Sequence, residues 1–163
     1  MRGWVKCHVR YDPEADAAAL SFTESAFSRG GSGVGFDDEA GTAGVLRLGP
    51  EGEFDHLEVL GAGHAIPQLI SRVVAPPPGV RDFSRGVVEV AARERQGAIS
   101  YELTTRPPEG STYEVSVRGK RSPSPLALLR YERGSGLLRS LTLFPSGSLL
   151  RGLTEAMREG RED

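Results

Sequence analysis

The chain has 163 residues, of which 38% are hydrophobic and 26% charged, with a formal net charge of −2. That balance belongs to a folded chain rather than a disordered one, and the length suits one ordinary domain or two small ones. Its single cysteine, Cys7, excludes an intramolecular disulfide and a multi-cysteine metal site. No apolar run approaches the roughly 20 residues that span a bilayer, and Met1 to Lys6 contains no apolar signal region. A cytoplasmic, non-membrane protein is the expectation.

In chain order, Val5, Cys7, Val9 and Tyr11 alternate with Lys6, His8 and Arg10, the period-two pattern of a half-buried strand. Asp12-Pro13-Glu14-Ala15-Asp16 carries turn chemistry, and Ala18, Leu20 and Phe22 complete a hairpin. The glycine-rich Ser28–Gly35 stretch leads into a short strand at Val34–Phe36. Gly44–Leu48 and Phe54–Leu60 flank Gly49-Pro50-Glu51-Gly52 as a second hairpin, and His64–Val74 reads as a short helix. Ala75-Pro76-Pro77-Pro78-Gly79 then interrupts all regular structure, because consecutive prolines remove donors and fix φ.

After the linker the same order returns. Val88 and Val90 take the places of Cys7 and Val9, and Ile99, Tyr101 and Leu103 those of Ala18, Leu20 and Phe22. Val115 and Val117 replace Val34 and Phe36, Leu129 replaces Leu46, and Leu141 and Leu143 replace Leu57 and Val59. A final amphipathic helix is expected at Ser148–Arg158. The sequence thus predicts an α+β protein of two tandem β-rich repeats, residues 1–75 and 81–163, joined by a Pro-rich linker at 76–80. Each repeat has about five strands and ends in a short helix, and the two sheets bury their apolar faces against each other. The expected core is Val9, Tyr11, Leu20, Phe22, Leu46, Leu57, Val59, Val90, Ile99, Tyr101, Leu103, Leu129, Leu141 and Leu143.

The run Tyr11-Asp12-Pro13-Glu14-Ala15-Asp16, the strand residues Leu20 and Phe22, and the stretch from Gly52 through Leu57-Glu58-Val59-Leu60 resemble a family of short bacterial proteins of unknown function. That family is marked by a YDPExD-like turn and a GIEIL-like strand. The resemblance covers residues 5–65; in the second half Ala92-Arg93-Glu94-Arg95-Gln96-Gly97 stands where the turn motif would be. It brings no activity with it. Some members look like antitoxin-type partners of small toxins, which implies protein binding.

Several residue sets invite chemistry. Asp12, Glu14 and Asp16, with Asp37, Asp38 and Glu39, carry oxygen ligands for a divalent cation. The spacing is not that of an EF-hand, and Asp12 is better read as closing an Asx turn. Cys7 and His8 are neighbours, but consecutive strand residues point to opposite faces, so Cys7 reads as an inert core thiol. His56 and Glu58 share one strand face and, with His64, offer a metal or acid–base set. Their second-half counterparts Ser140 and Thr142 argue instead for a solvated face. Gly61-Ala62-Gly63 before a helix reads as a strand-to-helix turn rather than a phosphate cradle. No catalytic residue, metal site or cofactor is assigned.

Residues 1–80 hold 6 Lys and Arg against 11 Asp and Glu, and residues 81–163 hold 14 against 11. Arg118, Lys120 and Arg121, near Tyr113 and Tyr131, form a basic patch with aromatics. Even so, a pI of about 6.0 disfavours a nucleic-acid partner. The function expected is a non-enzymatic binding or regulatory module acting on a small protein partner, with Asp12, Asp16, His56, Glu58 and His64 as candidate binding residues. The alternatives are a small-molecule pocket between the repeats and, less favoured, a hydrolase-type enzyme.

Overall fold

A computed structural model describes residues 2–23, 32–50, 52–119 and 125–144. The first half supplies β1 (Arg2–Asp12), β2 (Ala17–Ser21), β3 (Ser32–Asp38), β4 (Gly41–Leu48) and β5 (Phe54–Leu60), then the single-turn helices α1 (Ala62–Ala65) and α2 (Pro67–Ile70). The second supplies β6 (Ser84–Arg95), β7 (Ala98–Glu102), β8 (Thr112–Val117), β9 (Ala127–Glu132) and β10 (Leu138–Leu143). All ten strands form one antiparallel sheet in the order β3-β4-β5-β2-β1-β6-β7-β10-β9-β8.

This corrects the expected architecture. The halves do not pack as two sheets face to face; β1 and β6 join edge to edge through ten residue pairs, from Arg2 opposite Arg93 to Tyr11 opposite Ser84. An unpaired β1 would leave a long edge of free N–H and C=O groups, and β6 satisfies them. The joined sheet then curls until β3 approaches β8, so its apolar face closes on itself as a near-barrel. Side chains clasp the meeting edges. The Glu39 carboxylate in the β3–β4 turn accepts from Arg133 at 2.7 Å, and the Glu39 N–H donates to the Tyr113 hydroxyl at 3.2 Å.

The fold is nearly all-β rather than α+β. The expected helix over 64–74 is replaced by α1 and α2, because Ile66, ahead of Pro67, sits at φ −135° and ψ 52°, outside the helical region. The helix expected at Ser148–Arg158, the basic-patch residues Lys120 and Arg121, and residues 28–31 of the glycine-rich stretch lie outside the described residues. Among the described residues no helix is long and apolar enough to cross a membrane.

The core is the inward face of the strands. Every residue expected there is buried except Tyr11, which is half-buried and packs against the core. Its centre is an aromatic stack of Phe22 on Tyr101, ring centroids 3.6 Å apart. Leu20 lies opposite Leu57, Leu57 opposite Leu46, and Leu46 opposite Val34. In the second half Tyr101 lies opposite Leu141, Leu141 opposite Leu129, and Leu129 opposite Val115. In the innermost strands the register differs from expectation. Val9 is the partner of Leu20, whereas the partner of Tyr101 is Ala92 rather than Val90. The reason is turn length. β1 and β2 close around Pro13 to Asp16, while β6 and β7 close on Gln96-Gly97 alone, both at positive φ as a tight hairpin requires.

Candidate binding groove

The sequence-selected residues fall into separate structural roles. Asp12 forms its Asx turn, its Oδ1 accepting from the Glu14 N–H at 3.0 Å. Asp16, at φ 49°, ties that turn to α1: its Oδ1 accepts from the Tyr11 hydroxyl at 2.8 Å and from the Gly63 N–H at 2.9 Å. Its carbonyl also takes the Ala62 N–H at 2.9 Å. The hydrogen bond to Asp16, then burial, raises the Tyr11 phenol above its ordinary value. Asp37, Asp38 and Glu39 sit at the β3–β4 hairpin instead, with Asp38 capping its own turn through the Ala40 N–H at 2.8 Å. His64 packs its ring against Gly136, in the turn between β9 and β10. Cys7 is fully buried, and burial pushes its thiol up to about 12. Among the described residues no group of three or more His, Cys, Asp and Glu side chains is arranged to hold a metal ion.

His56 and Glu58 do come together on the outward face of β5, where Glu58 is partly exposed and His56 is covered. His56 is only 8% exposed and bridges two carboxylates, its Nδ1 lying 2.6 Å from Asp55 Oδ2 and its Nε2 3.2 Å from Glu58 Oε1. Arg47 Nε donates to the same Glu58 oxygen at 3.1 Å. Burial raises the Glu58 carboxyl, yet the bonds from Arg47 and His56 outweigh it and hold the group below its ordinary value. Asp55 belongs to this network because of a β-bulge. Arg47 pairs with His56 and Leu48 with Phe54, leaving Asp55 as the extra residue. Strict alternation would have sent Asp55 and His56 to opposite faces, so sequence patterning missed it. A matching bulge between Leu138 and Ser140 releases Arg139, whose Nη1 donates to the buried Glu132 carboxylate at 3.0 Å.

Register shows what the second half does with the same places. In the first half, one outward row runs Arg85, Arg10, Ala19, Glu58, Val45 across β6, β1, β2, β5 and β4. In the second half it runs Arg2, Arg93, Ser100, Thr142, Leu128 across β1, β6, β7, β10 and β9. By this register Arg130 answers to Arg47, Thr142 to Glu58 and Ser140 to His56. Two large polar side chains are thereby replaced by small hydroxylated ones, and the sheet surface opens into a groove of about 410 Å³.

The groove floor is made by Ala91, Ala98, Ser100, Ser140 and Thr142, with the Ser100 and Thr142 hydroxyls 2.8 Å apart. Around it stand Arg2, Arg93, Arg95 and Arg130 against one acid, Glu102. Arg130 reaches outward to Glu114 at 3.0 Å. Arg93 and Arg95 make no ion pair with any described residue. Arg2 and Arg93 stand directly opposite in the ladder, an arrangement of like charges that disfavours the pair in isolation. On the same face Trp4, opposite the floor residue Ala91, is 52% exposed. None of the five residues selected from the sequence lines this groove. The one available signal was the exchange of His56 and Glu58 for Ser140 and Thr142. Comparison of the chain with protein-family models, curated proteins and solved structures gives no match.

Proposed function

We propose that this chain is a non-enzymatic binding module whose working surface is the arginine-rimmed groove on β6, β7, β10 and β9, and that it takes an acidic segment of a protein partner. The carrying observation is the charge arrangement: four arginines and one glutamate around a concave floor, two of the arginines facing each other across a ladder. Arginine outnumbers acid around the floor, and complementary charge is what steers and orients a partner. Half-exposed Trp4 beside it is the residue type that most often anchors interfaces.

A binding rather than catalytic role is supported by the polar network of the first half. Both His56 nitrogens are engaged by carboxylates, and none of these groups lines the groove. The matched ladders and matched bulges of the two halves support reading the chain as two copies of one unit, the first having kept a filled outer face and the second an open one. The buried, unpaired thiol of Cys7 accords with a cytoplasmic setting.

The test is capture from host extract, with and without nuclease, using the full chain and its Arg93→Glu/Arg95→Glu variant in parallel. A nuclease-resistant protein retained by the wild type and lost by the variant supports the reading. Equal recovery by both, or recovery only of nuclease-sensitive material, overturns it.

A further inference from the structure

The outer face of β6, β7 and β10 sets guanidinium and hydroxyl groups side by side. Arg93 lies opposite Ser100, and Ser100 opposite Thr142, so one row across these strands offers a guanidinium and two hydroxyls. Arg95, two residues along β6 on the same face, flanks that row opposite Ala98. Both arginines are exposed, and neither makes an ion pair with any described residue. The Ser100 and Thr142 hydroxyls lie 2.8 Å apart and share one hydrogen bond. Two hydroxyls carry two hydrogens, so the second is left to donate. Glu102, the acid that lines the groove, stands one row away, opposite Ala91 and Ser140. Arg2 has a contact of its own and takes no part in this cradle.

Donors therefore reach the space over Ser100 from two directions, a hydroxyl from the floor and guanidiniums from the side. A carboxylate holds its acceptors in one plane, whereas a phosphoryl group carries three terminal oxygens tetrahedrally and meets both sets. Guanidinium is also the side-chain group that grips phosphate as a bidentate fork. We infer that the groove takes a phosphorylated side chain of its protein partner, its oxygens held by Arg93, Arg95 and the Ser100–Thr142 hydroxyl pair. This rests on the groove being the binding surface and names the acidic group it takes. A volume of about 410 Å³ leaves room for that side chain and its neighbours.

The experiment titrates the full chain with two synthetic peptides of equal length and matched charge, one with a central phosphoserine and one with Glu-Glu. Binding is followed through the fluorescence of Trp4, the one tryptophan of the chain, and by calorimetry. The phosphoserine peptide is expected to bind about tenfold more tightly. Thr142→Val, which removes a hydroxyl and no charge, is expected to cost that peptide about fivefold and the Glu-Glu peptide nothing. Lowering the pH from about 7.5 to about 5.5 is expected to weaken the phosphoserine peptide selectively, because its second charge is lost near pH 6. Arg2, Arg93, Arg95, Glu102 and Arg130 face both peptides alike, so their own titration moves both. Arg72→Ala, exposed just after α2, is expected to change neither affinity, and circular dichroism establishes that each variant folds. Equal binding of the two peptides, both weakened by Arg93→Glu/Arg95→Glu, would overturn the phosphoryl reading and leave the groove standing. Binding of neither, or binding untouched by that variant, would overturn both.

Discussion

Tyr101→Phe tests the packing of the barrel interior. Tyr101 is fully buried, and its hydroxyl has no hydrogen-bond partner among the described residues. Burial also raises the phenol far above its ordinary value, so the side chain stays neutral throughout the working range. Leaving a buried hydroxyl unsatisfied costs about 1–3 kcal/mol, which phenylalanine avoids. Removing one oxygen opens about 10 Å³, and at about 24 cal/mol per Å³ this returns only about 0.2 kcal/mol of destabilisation. The stack on Phe22 involves the ring alone and is retained. The variant is therefore expected to be more stable by about 1–2 kcal/mol, which at a urea m-value of about 2 kcal/mol/M moves the midpoint up by about 0.5–1 M. Equilibrium urea unfolding at fixed pH measures this. A midpoint lowered by 0.5 M or more would mean that the hydroxyl is bonded in the native barrel and would refute the reasoning.

Gly44→Ala is expected to destabilise the protein by about 1–3 kcal/mol by overpacking, because its new Cβ would run into the Glu58 carbonyl on β5 and the Phe36 ring; thermal unfolding reads this. Cys7 should not react with a thiol reagent in the native state and should react stoichiometrically once denaturant unfolds the chain, since burial disfavours its thiolate. Glu58, its carboxyl held low in the fold, contributes stability that is present above the ordinary carboxyl value and is lost as pH falls through its folded value. Stability curves of wild type and Glu58→Gln should therefore converge on acidification, differing at neutral pH by less than about 1 kcal/mol, because the Arg47–Glu58 pair is partly screened by solvent.

The sequence specified individual hairpins well, because alternation of apolar residues such as Val5, Cys7 and Val9 fixes which face of a strand is buried whatever its neighbours are. It did not reveal that β1 and β6 would pair. Edge-to-edge joining and face-to-face packing bury the same alternating residues, and the difference lies in backbone groups that all residues share. The Asp55–His56 contact was hidden for the opposite reason. It depends on one extra residue in a strand, which inverts alternation locally and leaves no compositional mark. The helix expected at 64–74 is broken at Ile66, because a residue ahead of proline is steered out of the helical region whatever the apolar spacing around it. The groove was the hardest feature to read, since Ser140 and Thr142 suggest ordinary solvated surface when seen alone. Only beside His56 and Glu58 do they become missing volume.

The most direct test of the groove as the binding surface is a map of backbone amide shifts on titrating the full chain with an acidic peptide. The account predicts that perturbations concentrate at Arg2, Trp4, Arg93, Ser100, Arg130 and Thr142, and are erased in Arg93→Glu/Arg95→Glu. Perturbations centred instead on the β3–β8 edges or on the Asp55–His56–Glu58 network, or none at saturating peptide, would contradict it.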